Sequence, residues 1–139
     1  MSAPRSDCLS PCLTKERARM LSPLQLAFVG DSVHALLVRT RLIGDNLRVK
    51  DMHLGATRAV NAAAQAKTLA RILPLLSDEE AQIVRRGRNA HAHHGAPRAA
   101  TVEEYAGATG LEALLGYLYL TGDTARLIAL AERMNETEE

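Results

Sequence analysis

Tryptophan is absent from this chain, phenylalanine occurs once and tyrosine three times. With so few aromatic rings, the core has to be built from Leu, Ala, Val and Ile, a composition that favours helices over strands. Cysteine is almost as scarce. Cys8 and Cys12 stand in a polar leader, their spacing does not match a zinc knuckle, and no second ligand pair lies near them. They read as free thiols rather than part of a disulfide framework or metal site. No apolar run approaches the roughly 20 residues needed to span a bilayer. The opening MSAPRSDCLSPCLTKERARM has cations but no apolar segment, unlike a secretory signal. A cytoplasmic protein without a membrane partner is expected. Period-2 strand patterns, internal repeats, a glycine-rich phosphate loop and a serine–histidine–acid or cysteine–histidine motif are all missing.

At 139 residues and 47% apolar composition, the chain has the length and hydrophobicity of one domain with one core. The net charge of +1 names no partner, but its distribution is uneven. Residues 39–98 hold eleven Lys or Arg against five Asp or Glu, and residues 99–139 hold two against eight. That pattern suggests a surface with a positive side, although ordinary solvated helix faces give the same count.

Residues 1–20 read as a flexible leader, 21–135 as the folded domain and 136–139 as a frayed tail. Ser22-Pro23-Leu24-Gln25 is a capping box with proline at the first helical position. The helix it opens should run to Gly44, with Leu24, Ala27, Phe28, Val33, Leu37 and Val38 as its apolar face. A short helix is expected from about Asp51 to Ala59. Asn61 caps the next one, which Pro74 disturbs. Ser77 and Glu80 form a second capping box, and Thr101 and Glu104 a third. Gly87 and the run HAHHGAPRAA should form a loop. LEALLGYLYL is apolar almost all round, which implies a helix buried in the core or facing a partner chain. Gly122-Asp123 ends it and starts a last helix through Arg133. The fold class is all-α.

Three features could carry chemistry. Asp31 follows Gly30 inside an apolar helix, where the glycine costs about 1 kcal/mol relative to alanine and the carboxylate needs a partner or a cation. The pair suggests a tight helix crossing that brings Asp31 to a shared site; an aspartate turned to solvent is the alternative. Glu112 lies in the most apolar stretch. It would pair with an arginine or, functionally, share a divalent cation with Asp31, since magnesium often binds through one or two carboxylates. Arg85, Arg86 and Arg88, with Asn89, end a helix where guanidinium forks could grip phosphate or simply face the helix C-terminus. Arg98 adds a cation across the loop. His91, His93 and His94 lack the ligand set that zinc requires, and His34, one turn from Asp31, could be packed or could support the acid.

The order LAFVGDS, RRGRNA, LEALLGYLYL resembles the ribonuclease III catalytic domain, and more closely the Mini-ribonuclease III family, which lacks a double-stranded-RNA-binding domain. The resemblance covers roughly residues 22–133. It implies an all-helical homodimer, a magnesium-dependent endoribonuclease in which manganese can substitute, with two active sites in a valley that binds an RNA duplex. Asp31 matches the catalytic aspartate of the GD motif and Glu112 the glutamate of EALLG, both as metal ligands. In keeping with the resemblance, Arg85, Arg86, Arg88 and Arg98 would grip the RNA backbone, with Asn89 able to hydrogen-bond sugar or phosphate, and Lys50, Arg58 and Lys67 as weaker candidates. The implied substrate is the precursor of large-subunit ribosomal RNA, cut to 5′-phosphate and 3′-hydroxyl ends, with ribosomal proteins as further partners. Larger relatives carry additional acids where this chain has Leu24, Ala27 and Thr109, and Mini-family members often have lysine where this chain has His91. A catalytically silent RNA- or ribosome-binding module on the same fold is the alternative, and retention of both Asp31 and Glu112 argues against it.

Overall fold

The computed structural model of the chain describes residue 9 and residues 12–44, 48–90 and 101–135. Among them seven α-helices follow in order: α1 (Lys15–Met20), α2 (Pro23–Gly44), α3 (Val49–Val60), α4 (Ala62–Ile72), α5 (Asp78–Ala90), α6 (Val102–Leu120) and α7 (Thr124–Met134). A 3-10 turn, Leu73–Leu75, continues α4 where Pro74 ends the α-helical hydrogen bonding. No strand occurs among the described residues. The all-α expectation is met.

Capping residues set the boundaries. Backbone and side chain bond reciprocally between Ser22 and Gln25, between Ser77 and Glu80, and between Thr101 and Glu104. Asn61 accepts from the Ala64 amide at 2.9 Å. Gly122, with φ 74°, ends α6: its amide bonds to Tyr119 O and the Asp123 amide to Leu118 O, the double closure of a Schellman motif.

Helix α6 runs through the middle. Residues 107–111 and 113–118 are all buried, because α2, α4 and α5 pack around it. This corrects the partner-facing reading of LEALLGYLYL: one chain covers it. The apolar face expected on α2 also divides. Ala27, Val33 and Val38 are buried and Leu37 is half-buried, whereas Phe28 is 82% exposed and Leu24 is exposed beside it; Leu26, outside the expected face, is buried.

Two further expectations change. The leader does not extend to residue 20, because Thr14 caps α1 and Ala18 is fully buried in the core. The charged residues on both sides of Ala18 in KERARM hide that anchor from a periodicity reading. Gly87 does not mark a loop either. It lies inside α5, where an added Cβ would stand 2.9 Å from the Gly110 Cα; here glycine serves close packing rather than a turn. Cys8, His91, His93, His94, Arg98 and the tail 136–139 lie outside the described residues.

Candidate active site

The acid pair is set by a backbone crossing. A Cβ placed on Gly30 of α2 would stand 1.6 Å from the Glu112 carbonyl oxygen, and one on Gly116 of α6 would stand 2.0 Å from the Leu26 carbonyl oxygen. The two glycines face each other, so the helices touch through their main chains. Each is the residue next to, or one turn from, a carboxylate: Asp31 follows Gly30, and Glu112 precedes Gly116 by four. The crossing expected from Gly30 is therefore present. Gly116 is its other half, legible in the sequence only as a second glycine in an apolar helix.

Asp31 and Glu112 line one open cleft of about 830 Å³ between α2, the start of α4 and α6. Burial pushes the Glu112 carboxyl up to about 8, and a hydrogen bond to Asp31 and the charge of Asp31 push it the same way. A carboxyl so raised favours its protonated form at neutral pH. No arginine or lysine lines the cleft among the described residues, so none of them supplies the salt bridge weighed for Glu112. A hard divalent cation suits this donor set: two adjacent carboxylates, one partly desolvated, with open space beside them. Leu24, Ala27 and Thr109 line the same cleft. The Thr109 hydroxyl donates to Tyr105 O at 3.0 Å, within its own helix. Asp31 and Glu112 are thus the only acids in the cleft wall among the described residues, and no group of three or more metal-binding side chains forms there.

His34 is buried behind the cleft. Its Nδ1 lies 3.3 Å from Gln65 Nε2, and Gln65 lines the cleft. Burial lowers the His34 pKa; Asp31 opposes that shift and Arg41 adds to it. Sequence reasoning misses Gln65, Asn61 and Tyr105 as cleft residues; polar side chains on otherwise apolar helix faces are the available signal.

The arginine run is split. Arg85, Arg88 and Asn89 are exposed on one face of the last turns of α5, at the i, i+3, i+4 spacing. Arg86 points elsewhere. Its guanidinium donates to the Arg19 and Leu21 carbonyls, both at 3.2 Å, and so closes the C-terminal end of α1. A residue expected to contact phosphate is thereby committed to holding α1 against α5. None of these side chains enters the acid cleft of its own chain.

Comparisons with known proteins agree with this geometry. The family model of the ribonuclease III domain matches residues 24–123. A Mini-ribonuclease 3 of Thermoanaerobacter is 48% identical over 86% of this chain and 84% of its own length. One of Symbiobacterium thermophilum is 50% identical over 77% and 82%, and one of Synechococcus is 45% identical over 99% of both. A crystal structure of a Fusobacterium nucleatum protein superposes with a TM-score of 0.74 at 30% identity, covering 82% of this chain and 91% of that one. An acid pair in an open cleft on an all-helical frame and matches of this extent lead to one assignment: the chain is an endoribonuclease and belongs to the ribonuclease III family, in its Mini-ribonuclease III branch.

Proposed function

We propose that the protein is a magnesium-dependent endoribonuclease that cuts double-stranded regions of ribosomal RNA precursor, at the ends of the large-subunit RNA, leaving 5′-phosphate and 3′-hydroxyl termini. The observation that carries the reading is the Asp31–Glu112 pair, forced together without a basic partner in the cleft wall among the described residues. Asp31 and Glu112 would hold magnesium, or manganese in its place, which would supply Lewis acidity toward water and phosphate. As a ligand Glu112 would be in its carboxylate form. Asp31, exposed on α2, presents its carboxylate to the open side of the cleft. Arg85, Arg88 and Asn89 hold phosphate or sugar along the duplex, which is recognised through shape and backbone. Arg98 is a further proposed contact.

The working unit is a homodimer in the cytoplasm, with ribosomal proteins among its partners. Support for the dimer comes from α2 and α1, where Phe28 is 82% and Met20 86% exposed. Phe28 also borders an apolar depression of about 450 Å³ formed with Leu13, Leu21, Leu24, Val29 and Leu120. A second copy would cover this surface, and a valley built from two chains would bring α5 arginines and acid clefts onto one duplex.

The test is cleavage of a ribosomal precursor duplex by wild type with magnesium, with chelator, and by Asp31→Asn. Cleavage is expected only in the first case; cutting that survives chelation or the substitution overturns the two-carboxylate mechanism. Arg85→Ala with Arg88→Ala should weaken RNA binding and lower its salt slope by about 1 for each arginine removed. Arg86→Ala should leave that slope unchanged and lower stability by about 1–2 kcal/mol instead.

A further inference from the structure

We propose that Gln65 selects ribose: its carboxamide oxygen accepts a hydrogen bond from a 2′-hydroxyl of the RNA strand lying in the acid cleft. The inference rests on the reading of that cleft as the place where an RNA duplex is cut. Gln65 belongs to the face of α4 that also buries Thr68, Leu69 and Ile72. It lines the cleft, yet it is only 4% exposed. An amide at such a position costs stability unless its polar atoms are bonded. The nitrogen has a partner. Gln65 Nε2 lies 3.3 Å from His34 Nδ1, and burial, by favouring the neutral ring, leaves Nδ1 able to accept. The oxygen has none, because no described residue donates to Gln65 Oε1. It is not sealed inside the protein, and the open space that Gln65 borders is the cleft. Mutual satisfaction of two buried polar side chains explains the nitrogen and leaves the oxygen unexplained.

The other amide of the cleft wall is already committed. Asn61 Oδ1 accepts from the Ala64 amide at 2.9 Å, and its Nδ2 donates to Arg58 O at 2.7 Å. The Thr109 hydroxyl donates within its own helix. Gln65 also stands apart from the acids: it is bonded to neither, and Glu112 is shifted by burial and by Asp31 alone. Its oxygen therefore faces what the cleft receives beside the carboxylates, and that occupant must bring a donor. A phosphodiester group offers acceptors only. The ribose next to it carries a 2′-hydroxyl, which an A-form duplex displays in its shallow groove. A strand that covers the cleft without this hydroxyl leaves Oε1 buried and unpaired, and a site built to bond a hydroxyl rejects the analogue that lacks it. His34 holds the amide in one orientation, so little rotamer freedom is lost on binding.

The test uses the full chain, magnesium and an RNA duplex in which one nucleotide at a time is replaced by its 2′-deoxy form, so that the surrounding ribose keeps the duplex A-form. Wild type should lose about tenfold in kcat/KM at one ribose near the cut phosphate and little elsewhere. Gln65→Met keeps the length of the side chain and removes the oxygen. It should cut the all-ribose duplex about tenfold less efficiently, and the deoxy replacement at that ribose should then cost nothing further. His34→Leu keeps the carboxamide and unties it, and the same ribose should matter only roughly threefold. A purely structural Gln65 would lower kcat/KM for every duplex alike and leave the position dependence intact. That result overturns the proposal, as does an undiminished effect of that ribose in either variant. So does a flat scan in wild type, a measurement that needs no variant; with the all-ribose duplex still cut, it leaves the functional reading standing. Failure of wild type to cut any all-ribose duplex overturns the functional reading, and this inference with it.

Discussion

Glu80 and Glu112 press against the same apolar core and are held in opposite ways. Glu80, at the start of α5, is 7% exposed and receives both Nε and Nη2 of Arg126 at 2.8 Å, together with the Ser77 amide. The bonds from Arg126 hold its carboxyl below the usual range against the opposing effect of burial. Glu112 meets another acid, and its carboxyl is pushed up to about 8. One glutamate ties α5 to α7. The other costs the fold stability while it faces a second acid, and the helix crossing confines it there. Burial alone therefore does not mark a functional acid; burial with the wrong partner does.

The largest expected effect is on the crossing itself. Gly30→Ala would drive a methyl into the Glu112 carbonyl, and the separation of α2 from α6 should lower unfolding free energy by about 3 kcal/mol or more. Denaturant unfolding checks this; wild-type stability would show that the acids are not held by backbone contact. Next is Glu80→Ala, which strands Arg126 and should cost about 3 kcal/mol. Because the Glu80 carboxyl is depressed on folding, its stabilisation is present above the ordinary glutamate range, near 4.5, and is lost as pH falls through its lower folded value. Glu80→Gln should accordingly flatten the acid limb of the Tm–pH curve.

Glu112 has the reverse sign. Its folded carboxyl is raised, so stability falls as pH climbs from the glutamate range toward about 8. In chelator at pH 8.5, Glu112→Gln should be more stable than wild type by roughly 1–2 kcal/mol, after allowance for its partial exposure. Magnesium should reverse that ranking, and its stabilisation of wild type should grow between pH 6 and 8.5 as the competing proton leaves. The smallest effect belongs to Glu79, which neighbours Glu80 in sequence but is a third exposed. Its carboxyl is lowered by the Tyr117 hydroxyl and then by Arg19, yet solvent screens the pair. Glu79→Gln should shift stability by less than about 1 kcal/mol; a loss as large as that of Glu80→Ala would show that burial does not separate the two glutamates.

Helix boundaries are the most legible part of the fold, because their signals are local. Ser22, Asn61, Ser77, Thr101 and Gly122 each act within a few residues of themselves. What depends on contact between distant segments is less visible. Gly87 looks like punctuation until Gly110 is placed against it, and Arg86 resembles its neighbours until the carbonyls of α1 appear beside it. Asp31 and Glu112 stand out in the sequence as two awkward acids in apolar helices. The sign of their interaction depends on a fact the sequence hides, that among the described residues no cation faces them from the cleft wall. The apolar run of α6 suggests a partner chain for a reason the fold removes; the exposed apolar surface on α2 is what supports a dimer.

The Gly30–Gly116 contact also bears on how the protein can be redesigned. Side-chain packing adapts to substitution by changing rotamers, but two main chains in contact have no rotamers to change. Leucines elsewhere around α6 can be exchanged for others of similar volume without altering the spacing between the two carboxylates. Metal preference can then be tuned at Ala27 or Thr109, which border the acids without setting their distance. The crossing works as a fixed datum, and the cleft wall around it is the adjustable part.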